Sequence, residues 1–214
     1  MLKLKIKAND ITNLTDARYF AAKEATWLTF NFVEKTPTYI EPMTARAIFE
    51  WVEGVEIVGA FDGLTAADIN FYAENWHLKA VEIGANVTTG EVFKINNLLK
   101  IVKKIVVESS TTADILRGQM QPLAATVEAF ELDFTPNKLT FDNLKMGDLT
   151  LMPEDLTQLC RDFKVILNID FQLVVLKELL ELPLYGLVLK GGDEELTGVK
   201  SFDELDEVFD LLEV

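Results

Sequence analysis

The sequence is poor in cysteine and in long apolar segments. Cys160 is the single cysteine among 214 residues, so an intramolecular disulfide is excluded, as expected for a reducing compartment. No segment approaches the roughly eighteen consecutive apolar residues of a membrane-spanning helix, and the N-terminus lacks the pattern of a signal peptide. We therefore expect a soluble, cytoplasmic protein that has no membrane partner.

Basic residues and histidine are also scarce. Lysine and arginine total 20 against 35 aspartates and glutamates, which gives a formal net charge of −15. Nucleic acid would be repelled, and no basic stripe compensates, so we expect no nucleic-acid partner. The one histidine, His77, is a poor indication of a metal site. We expect no metal, and no motif indicates a nucleotide or other cofactor.

Strand-like and helix-like segments alternate along the whole chain. No Pro/Gly/Ser-rich linker divides it, so we expect a single domain over residues 1–214. The predicted strands are rich in β-branched and aromatic residues and cover residues 2–7, 27–32, 56–61, 79–83, 104–108, 127–134, 164–169 and 184–190. The predicted helices cover residues 15–25, 43–52, 65–76, 88–100, 111–121, 153–162, 172–182 and 201–213.

Eight such strand–helix pairs favour an α/β fold in which parallel strands close into a (β/α)8 TIM barrel. The alternative is a doubly wound open sheet. That fold usually has a glycine-rich turn after its first strand, and the corresponding residues here, KAND at 7–10, include no glycine. The barrel is therefore the predicted fold.

Lysines alternate with leucine and isoleucine in the first predicted strand. Because helices cover the outside of a barrel, the aliphatic residues face outward, and Lys5 and Lys7 point into the lumen toward its top. A buried ammonium needs carboxylate partners. The sequence thus predicts a polar cluster at the top of the lumen, composed of Lys5, Lys7, Glu82, Glu131 and Asp133. Such a cluster is either a self-satisfied ion network or part of a working site.

Several motifs occur in the order that one barrel family has them. KIKANDITNLTDAR at 5–18 is similar to K-I-C-G-I-T-x-x-x-D-A, and VGAF at 58–61 is similar to V-G-V-F. ELDF at 131–134 occupies the place of L-L-D, and KGGDEELTGVK at 190–200 that of S-S-G-V-E…G-V-K. With these motifs the chain resembles phosphoribosylanthranilate isomerase, the (β/α)8 enzyme of tryptophan biosynthesis.

The resemblance implies an aldose–ketose isomerisation, the Amadori rearrangement of a phosphoribosyl amine to a 1-deoxyribulose phosphate. In that family a general acid protonates the ring oxygen and a general base removes the C2 proton. Asp133 corresponds to the acid. Lys7 stands where the family has its cysteine base, and Asp10 is the other residue near that place. A lysine acts as a base only when its pKa is lowered by burial or by a nearby cation.

The resemblance also locates the substrate-binding residues. The family holds the substrate phosphate with backbone amides after strands seven and eight. After strand seven this chain has Asn168-Ile169-Asp170 in place of glycines, and the family's substrate-contacting arginine corresponds to Thr38. Gly191 and Gly192, beside Lys190, have the form of an anion-binding turn. Alternatively, they are only a flexible turn.

Two hypotheses follow from the sequence. In the first, the protein is an isomerase that acts on a small phosphorylated sugar, with Asp133 as the acid and Lys7 or Asp10 as the base. In the second, it is a catalytically inactive barrel that serves as a binding or regulatory module. We expect a monomer or a homodimer in either case.

Overall fold

A closed barrel of eight parallel strands forms the centre of the molecule, in a computed structural model that describes residues 2–191, 194–196 and 199–213. Each strand pairs with the next, and β8 pairs with β1 through five register positions from Lys5–Gly186 to Asn9–Lys190. The strands are β1 (Lys5–Asn9), β2 (Trp27–Asn31), β3 (Glu56–Phe61), β4 (Ala80–Ile83), β5 (Lys100–Val106), β6 (Ala129–Asp133), β7 (Val165–Asn168) and β8 (Gly186–Lys190). The predicted (β/α)8 barrel is confirmed.

Helices alternate with the strands. They are α1 (Leu14–Ala22), α2 (Pro42–Phe49), α3 (Ala66–Asn75), α4 (Thr89–Val92), α5 (Ala113–Met120), α6 (Phe141–Met146), α7 (Pro153–Asp162), α8 (Leu176–Leu179) and α9 (Asp203–Leu212). Single 3-10 turns cover Gln121–Leu123, Thr135–Asn137 and Leu173–Val175, and two short antiparallel strands, β9 (Glu194–Leu196) and β10 (Val199–Lys200), precede α9. Side-chain caps such as Asn13, Thr65 and Thr112 start several helices by accepting a backbone N–H.

Some predicted bounds were wrong. The predicted strands 2–7 and 104–108 lie instead at Lys5–Asn9 and Lys100–Val106. The predicted helix 88–100 is only one turn, α4. Gly90 weakens the helix. The Asn70 side chain also donates to the carbonyl oxygen of Lys94 and accepts from the N–H of Asn96, so these backbone groups have partners outside a helix. The predicted helix 172–182 contains a 3-10 turn followed by the four residues of α8. No helix was predicted at α6, which starts with a Thr140–Asn143 capping box.

The barrel has an outer and an inner core. Ile6 and other outward-facing strand residues pack against the helices. Inside the lumen a separate apolar layer consists of Trp27, Val58, Ala80, Val102, Ala129, Ile166 and Val188. Glu82 and Glu131 lie two residues further along their strands than Ala80 and Ala129, on the carboxyl-terminal side of this layer. None of the helices in the described part of the chain is long and apolar enough to cross a membrane.

Candidate functional site at the carboxyl-terminal mouth of the barrel

Four charged side chains fill the lumen above the apolar layer, and we call them the upper-lumen network: Lys7, Glu82, Lys104 and Glu131. The Lys7 ammonium is completely buried, 2.5 Å from Oε2 of Glu82 and 2.7 Å from Oε2 of Glu131. It also donates to Oδ1 of Asn9. Its three N–H groups are thus all used within the protein. The predicted inward orientation of Lys7 and its pairing with carboxylates are confirmed.

Lys104 is the member of this network that the sequence analysis missed. Its Nζ lies 2.7 Å from Oε1 of Glu82, 3.4 Å from Oε1 of Glu131 and 3.9 Å from Oδ2 of Asp133. The signal was available in KIVKKIV at 100–106, where Lys104 has the same parity as Val102, a lumen residue. Placing the start of this strand at residue 104 concealed that alternation.

Glu131 and Lys104 hold each other in the ionised state. Burial by itself raises the pKa of Glu131, but the charges of Lys104 and Lys7, with hydrogen bonds from Lys7 and Asn168, bring that pKa well below its usual range. Burial likewise opposes the charge on Lys104, yet Glu131 and Glu82 bring its pKa well above the ordinary value. Asn9 and Asn168 complete the shell by donating to Oε1 of Glu131 at 3.2 and 2.9 Å. The two positive and two negative charges of the network thus balance one another.

Asp133 lies at the end of β6, beside this network. Its Oδ1 accepts hydrogen bonds from the backbone N–H and the hydroxyl of Thr135 at 3.1 and 2.8 Å. Burial and the neighbouring charge of Glu131 raise the pKa of Asp133. Lys7 ion-pairs with the two glutamates of the network, not with Asp133. The carboxyl group therefore has the increased affinity for a proton that a general acid requires.

Lys5 is not part of the cluster at the top of the lumen, and that prediction was wrong. Its Nζ lies 2.5 Å from the hydroxyl of Tyr185 and 3.9 Å from Oε1 of Glu128, over the rings of Tyr185 and Trp27. Because β1 begins at Lys5, this side chain lies at the amino-terminal end of the barrel, below the apolar layer. Strand parity was predicted correctly, but the position along the lumen was not.

Asp10 follows β1 directly and has a left-handed backbone with φ 59°. Its Oδ2 lies 3.5 Å from Nζ of Lys190 at the end of β8. The structure thus brings a candidate base and a candidate phosphate anchor together as an ion pair. Gly192, predicted beside them in the anion-binding turn, lies outside the described residues.

Gly191 has a structural reason for being glycine. A Cβ at this position would lie 2.7 Å from the carboxyl carbon of Asp16, which is buried at the start of α1. Asp16 also accepts a hydrogen bond from the Asn13 side chain at 2.7 Å. The glycine therefore permits close packing of α1 on the end of β8, and a carboxylate occupies the space directly behind the candidate anion turn.

The described residues form two cavities that open at the mouth. The larger, of about 560 Å³, lies between β7, β8 and α9 and is lined by Asp170, Lys190, Gly191 and Glu204, among others. The smaller, of about 180 Å³, lies over β1 to β4. Its lining includes Thr29, whose buried hydroxyl has no hydrogen-bond partner in the described part of the chain. A buried hydroxyl without a partner in a polar cavity is a place where a ligand or water can bind.

Thr38 and Cys160 both have structural roles, one in a loop hydrogen bond and the other in the outer core. Thr38, at the place of the family's arginine, accepts a hydrogen bond from the Asn31 side chain at 2.8 Å, which ties down the loop after β2. Cys160 lies buried in α7 within the outer core, and burial raises the pKa of its thiol to about 12. It is thus protonated at neutral pH and does not replace the family's cysteine.

Over residues 2–191, 194–196 and 199–213, no group of three or more His, Cys, Asp or Glu side chains is placed to hold a metal ion. The ionisable groups at the mouth instead contact one another. The arrangement supports charge stabilisation and hydrogen bonding, with Asp133 as the group best suited to give up a proton.

Comparisons with solved structures agree with the barrel and with the resemblance. A phosphoribosyl anthranilate isomerase from Thermus thermophilus has 24% identity, with 97% of each chain covered and a TM-score of 0.75. A phosphoribosyl anthranilate isomerase in complex with reduced 1-(o-carboxyphenylamino)-1-deoxyribulose 5-phosphate has 19% identity, 96% coverage of each chain and a TM-score of 0.73. KGPDC from Streptococcus mutans has 11% identity, coverage of 89% of this chain and 88% of that one, and a TM-score of 0.62.

No family model matches the sequence, and no curated protein matches it. At these identities the likeness establishes the fold. The predicted resemblance to phosphoribosylanthranilate isomerase is confirmed at that level, and the chemistry has to be argued from this chain's own residues.

Proposed function

We propose that this protein is a divergent phosphoribosylanthranilate isomerase-like barrel with a degenerate site, which binds a small hydroxylated ligand and does not catalyse the Amadori rearrangement efficiently. One observation carries the proposal. Lys7, at the place of the family's base, is a buried ammonium whose donors are all used by Glu82, Glu131 and Asn9. A lysine in this state has no lone pair with which to take a proton from C2.

Asp10 is a poor replacement for the missing base. Its carboxylate is paired with Lys190 at 3.5 Å, so it would have to leave this ion pair before it could take a proton from a substrate. The same pair weakens Lys190 as an anchor for phosphate. Asp170 and Glu204 line the cavity beside Lys190, and their charges repel a phosphate dianion.

The smaller mouth cavity supports the binding function. Its volume of about 180 Å³ suits a small polyol. The Thr29 hydroxyl within it is buried and lacks a partner in the described residues, so a ligand hydroxyl would satisfy it. The cytoplasm is the proposed compartment, because an unpaired thiol such as Cys160 persists most readily under reducing conditions.

A second candidate is a weak isomerase acting on a small phosphorylated sugar. The observation that favours it is the raised pKa of Asp133, caused by burial and by Glu131, together with the two hydrogen bonds from Thr135 that orient the carboxyl group. Asp133 would then protonate the ring oxygen, and Asp10, released from Lys190 when the phosphate binds, would remove the C2 proton.

Turnover of freshly prepared phosphoribosylanthranilate separates the two candidates, with Asp133→Asn as the matched control. We expect no turnover by the wild-type protein above that of the variant. Turnover that the substitution abolishes would overturn the proposal in favour of the isomerase.

The binding function is tested by calorimetric titration with ribitol. Thr29→Val replaces the hydroxyl by a methyl group of similar size, and we expect about three- to tenfold weaker binding, the effect of one lost hydrogen bond. Equal binding by the wild type and by Thr29→Val, or no binding by either, would contradict the proposed ligand class.

A further inference from the structure

Another cavity lies toward the outer side of the barrel and has only Lys104 in common with the lining of the smaller mouth cavity. It has a volume of about 510 Å³ and runs from the loop after β4 and the start of α4 to α5. We call it the α4–α5 groove; its lining includes Val87, Thr88, Lys103, Val106, Gly118 and Leu123. The four residues of α4 cover less of β4 and β5 than a helix of ordinary length would. The volume falls in the range of roughly 300–1,000 Å³ that is typical of small-molecule sites.

Lys103 is the charged group of this groove. It precedes Lys104 in β5 and therefore points outward, where it is only 9% exposed. Its Nζ donates to the backbone carbonyl oxygens of Gly84 at 2.6 Å and Val87 at 3.0 Å. These two bonds leave one N–H of the ammonium without a partner in the described part of the chain.

Lys103 also forms no ion pair there, and the opposite charge of Asp62 acts on it only from beyond 4 Å. Lys7 and Lys104 each form ion pairs with at least two carboxylates, whereas no carboxylate of the described residues forms one with Lys103. Burying an ammonium without a counter-ion is unfavourable, and in proteins such groups are normally paired. Burial accordingly lowers the pKa of Lys103, and the charge of Asp62 offsets this only in part.

We propose that the α4–α5 groove binds a small monocarboxylate with an apolar body, whose carboxylate accepts the free N–H of Lys103. Val87, Val106 and Leu123 supply apolar walls for the body of the ligand. Glu108 also lines the groove and is exposed, so a second negative charge on the ligand would be repelled. This site is independent of the function proposed for the mouth.

Benzoate and benzamide are matched probes, because they share shape and size and differ in charge. In calorimetric titrations of the full-length protein we expect benzoate to bind in the millimolar range, as its few atoms allow, and benzamide to bind at least about tenfold more weakly. Lys103→Met should weaken benzoate binding by a similar factor. Equal affinity for the two probes, or no benzoate binding by the folded wild-type protein, would overturn the proposal.

Gly118 provides a second test that leaves Lys103 unchanged. It lines the groove from α5, and a Cβ built there has no atom within 4 Å. Gly118→Phe should therefore fill the groove and block benzoate, while Gly118→Ala should retain binding. If Lys103→Met fails to fold, this pair decides the question, and benzoate binding by Gly118→Phe equal to that of Gly118→Ala would refute the site.

Discussion

The ammonium of Lys7 lies 2.7 Å from Oε2 of Glu131, and both side chains are completely excluded from solvent. This ion pair crosses the lumen from β1 to β6, and it includes the residue for which the sequence resemblance implied the place of a catalytic base. A fully buried pair adds little stability over apolar residues of the same volume, but removing one partner leaves a buried charge uncompensated. The network therefore has a structural role, and a proton transfer to or from one of its members would leave a buried charge without its partner.

Lys7→Met should be strongly destabilising. Within the described residues, the variant leaves Glu82 and Glu131 with Lys104 as their only ion-pair partner, so we expect a loss of about 3–5 kcal/mol in the free energy of unfolding, measured by urea denaturation. Lys94→Met is the matched control, since Lys94 forms an exposed pair with Glu91 at 2.6 Å and should contribute less than about 1 kcal/mol. A loss no larger than that of the control would contradict a buried network held together by Lys7.

Asp133→Asn should stabilise the protein at neutral pH, in a pH-dependent way. Because burial and Glu131 raise the pKa of Asp133 in the folded state, its ionised form is disfavoured there relative to the unfolded chain. This unfavourable contribution is present above the folded-state pKa and disappears as pH falls through it toward about 3.9, the unfolded value. The neutral asparagine has no such contribution, so the variant's advantage should shrink over the same pH interval.

Urea denaturation of wild type and Asp133→Asn at a series of pH values measures this difference. Asp210→Asn, on an exposed face of α9, is the control and should change stability by less than about 0.5 kcal/mol. An advantage of Asp133→Asn that grows as the pH falls would mean that the carboxyl group is held ionised, and the isomerase candidate would lose its acid.

The strand pattern was enough to predict the barrel and the orientation of Lys7. Alternation along β1 determines which side chains face the lumen, and eight strand–helix pairs leave few other topologies. Glu82 and Glu131 were placed correctly beside Lys7 for the same reason, while Asp133 lies 3.9 Å from Lys104. Lys5 was misplaced because parity says nothing about height in the lumen, which depends on the residue at which the strand begins.

Other features depend on contacts that sequence patterns do not carry. The Asp10–Lys190 pair joins residues at opposite ends of the chain, and only the β1–β8 register brings them together. The shortening of α4 depends on the side chain of Asn70, in the preceding helix, which donates to the carbonyl oxygen of Lys94 and accepts from the N–H of Asn96. The groove beside Lys103 likewise depends on two features together, the short helix α4 and the outward orientation of Lys103.

Gly191→Ala should destabilise the protein by about 1–3 kcal/mol, since the new Cβ would lie 2.7 Å from the carboxyl carbon of Asp16. The same substitution made in an Asp16→Ala background should cost far less, because the clash is then removed. The double-mutant cycle, measured by urea denaturation, gives the coupling between the two positions. Equal costs in both backgrounds would argue that Gly191 is required for another reason, such as the close approach of a ligand.

Cys160 should be almost inert toward thiol reagents in the folded protein. Its side chain is buried in α7, and the rise of its pKa to about 12 lowers the thiolate fraction by about 3,000-fold relative to a free cysteine with a pKa near 8.5. Reaction with dithiobisnitrobenzoate at pH 8 should therefore be slow in buffer and fast in guanidinium chloride, with one thiol titrated per chain. Since Cys160 lies in the outer core, prior alkylation of the folded protein by iodoacetamide should also fail. Fast modification under native conditions would mean that α7 opens readily. A cysteine exposed in this way would again be a candidate general base, the role that the upper-lumen network excludes for Lys7.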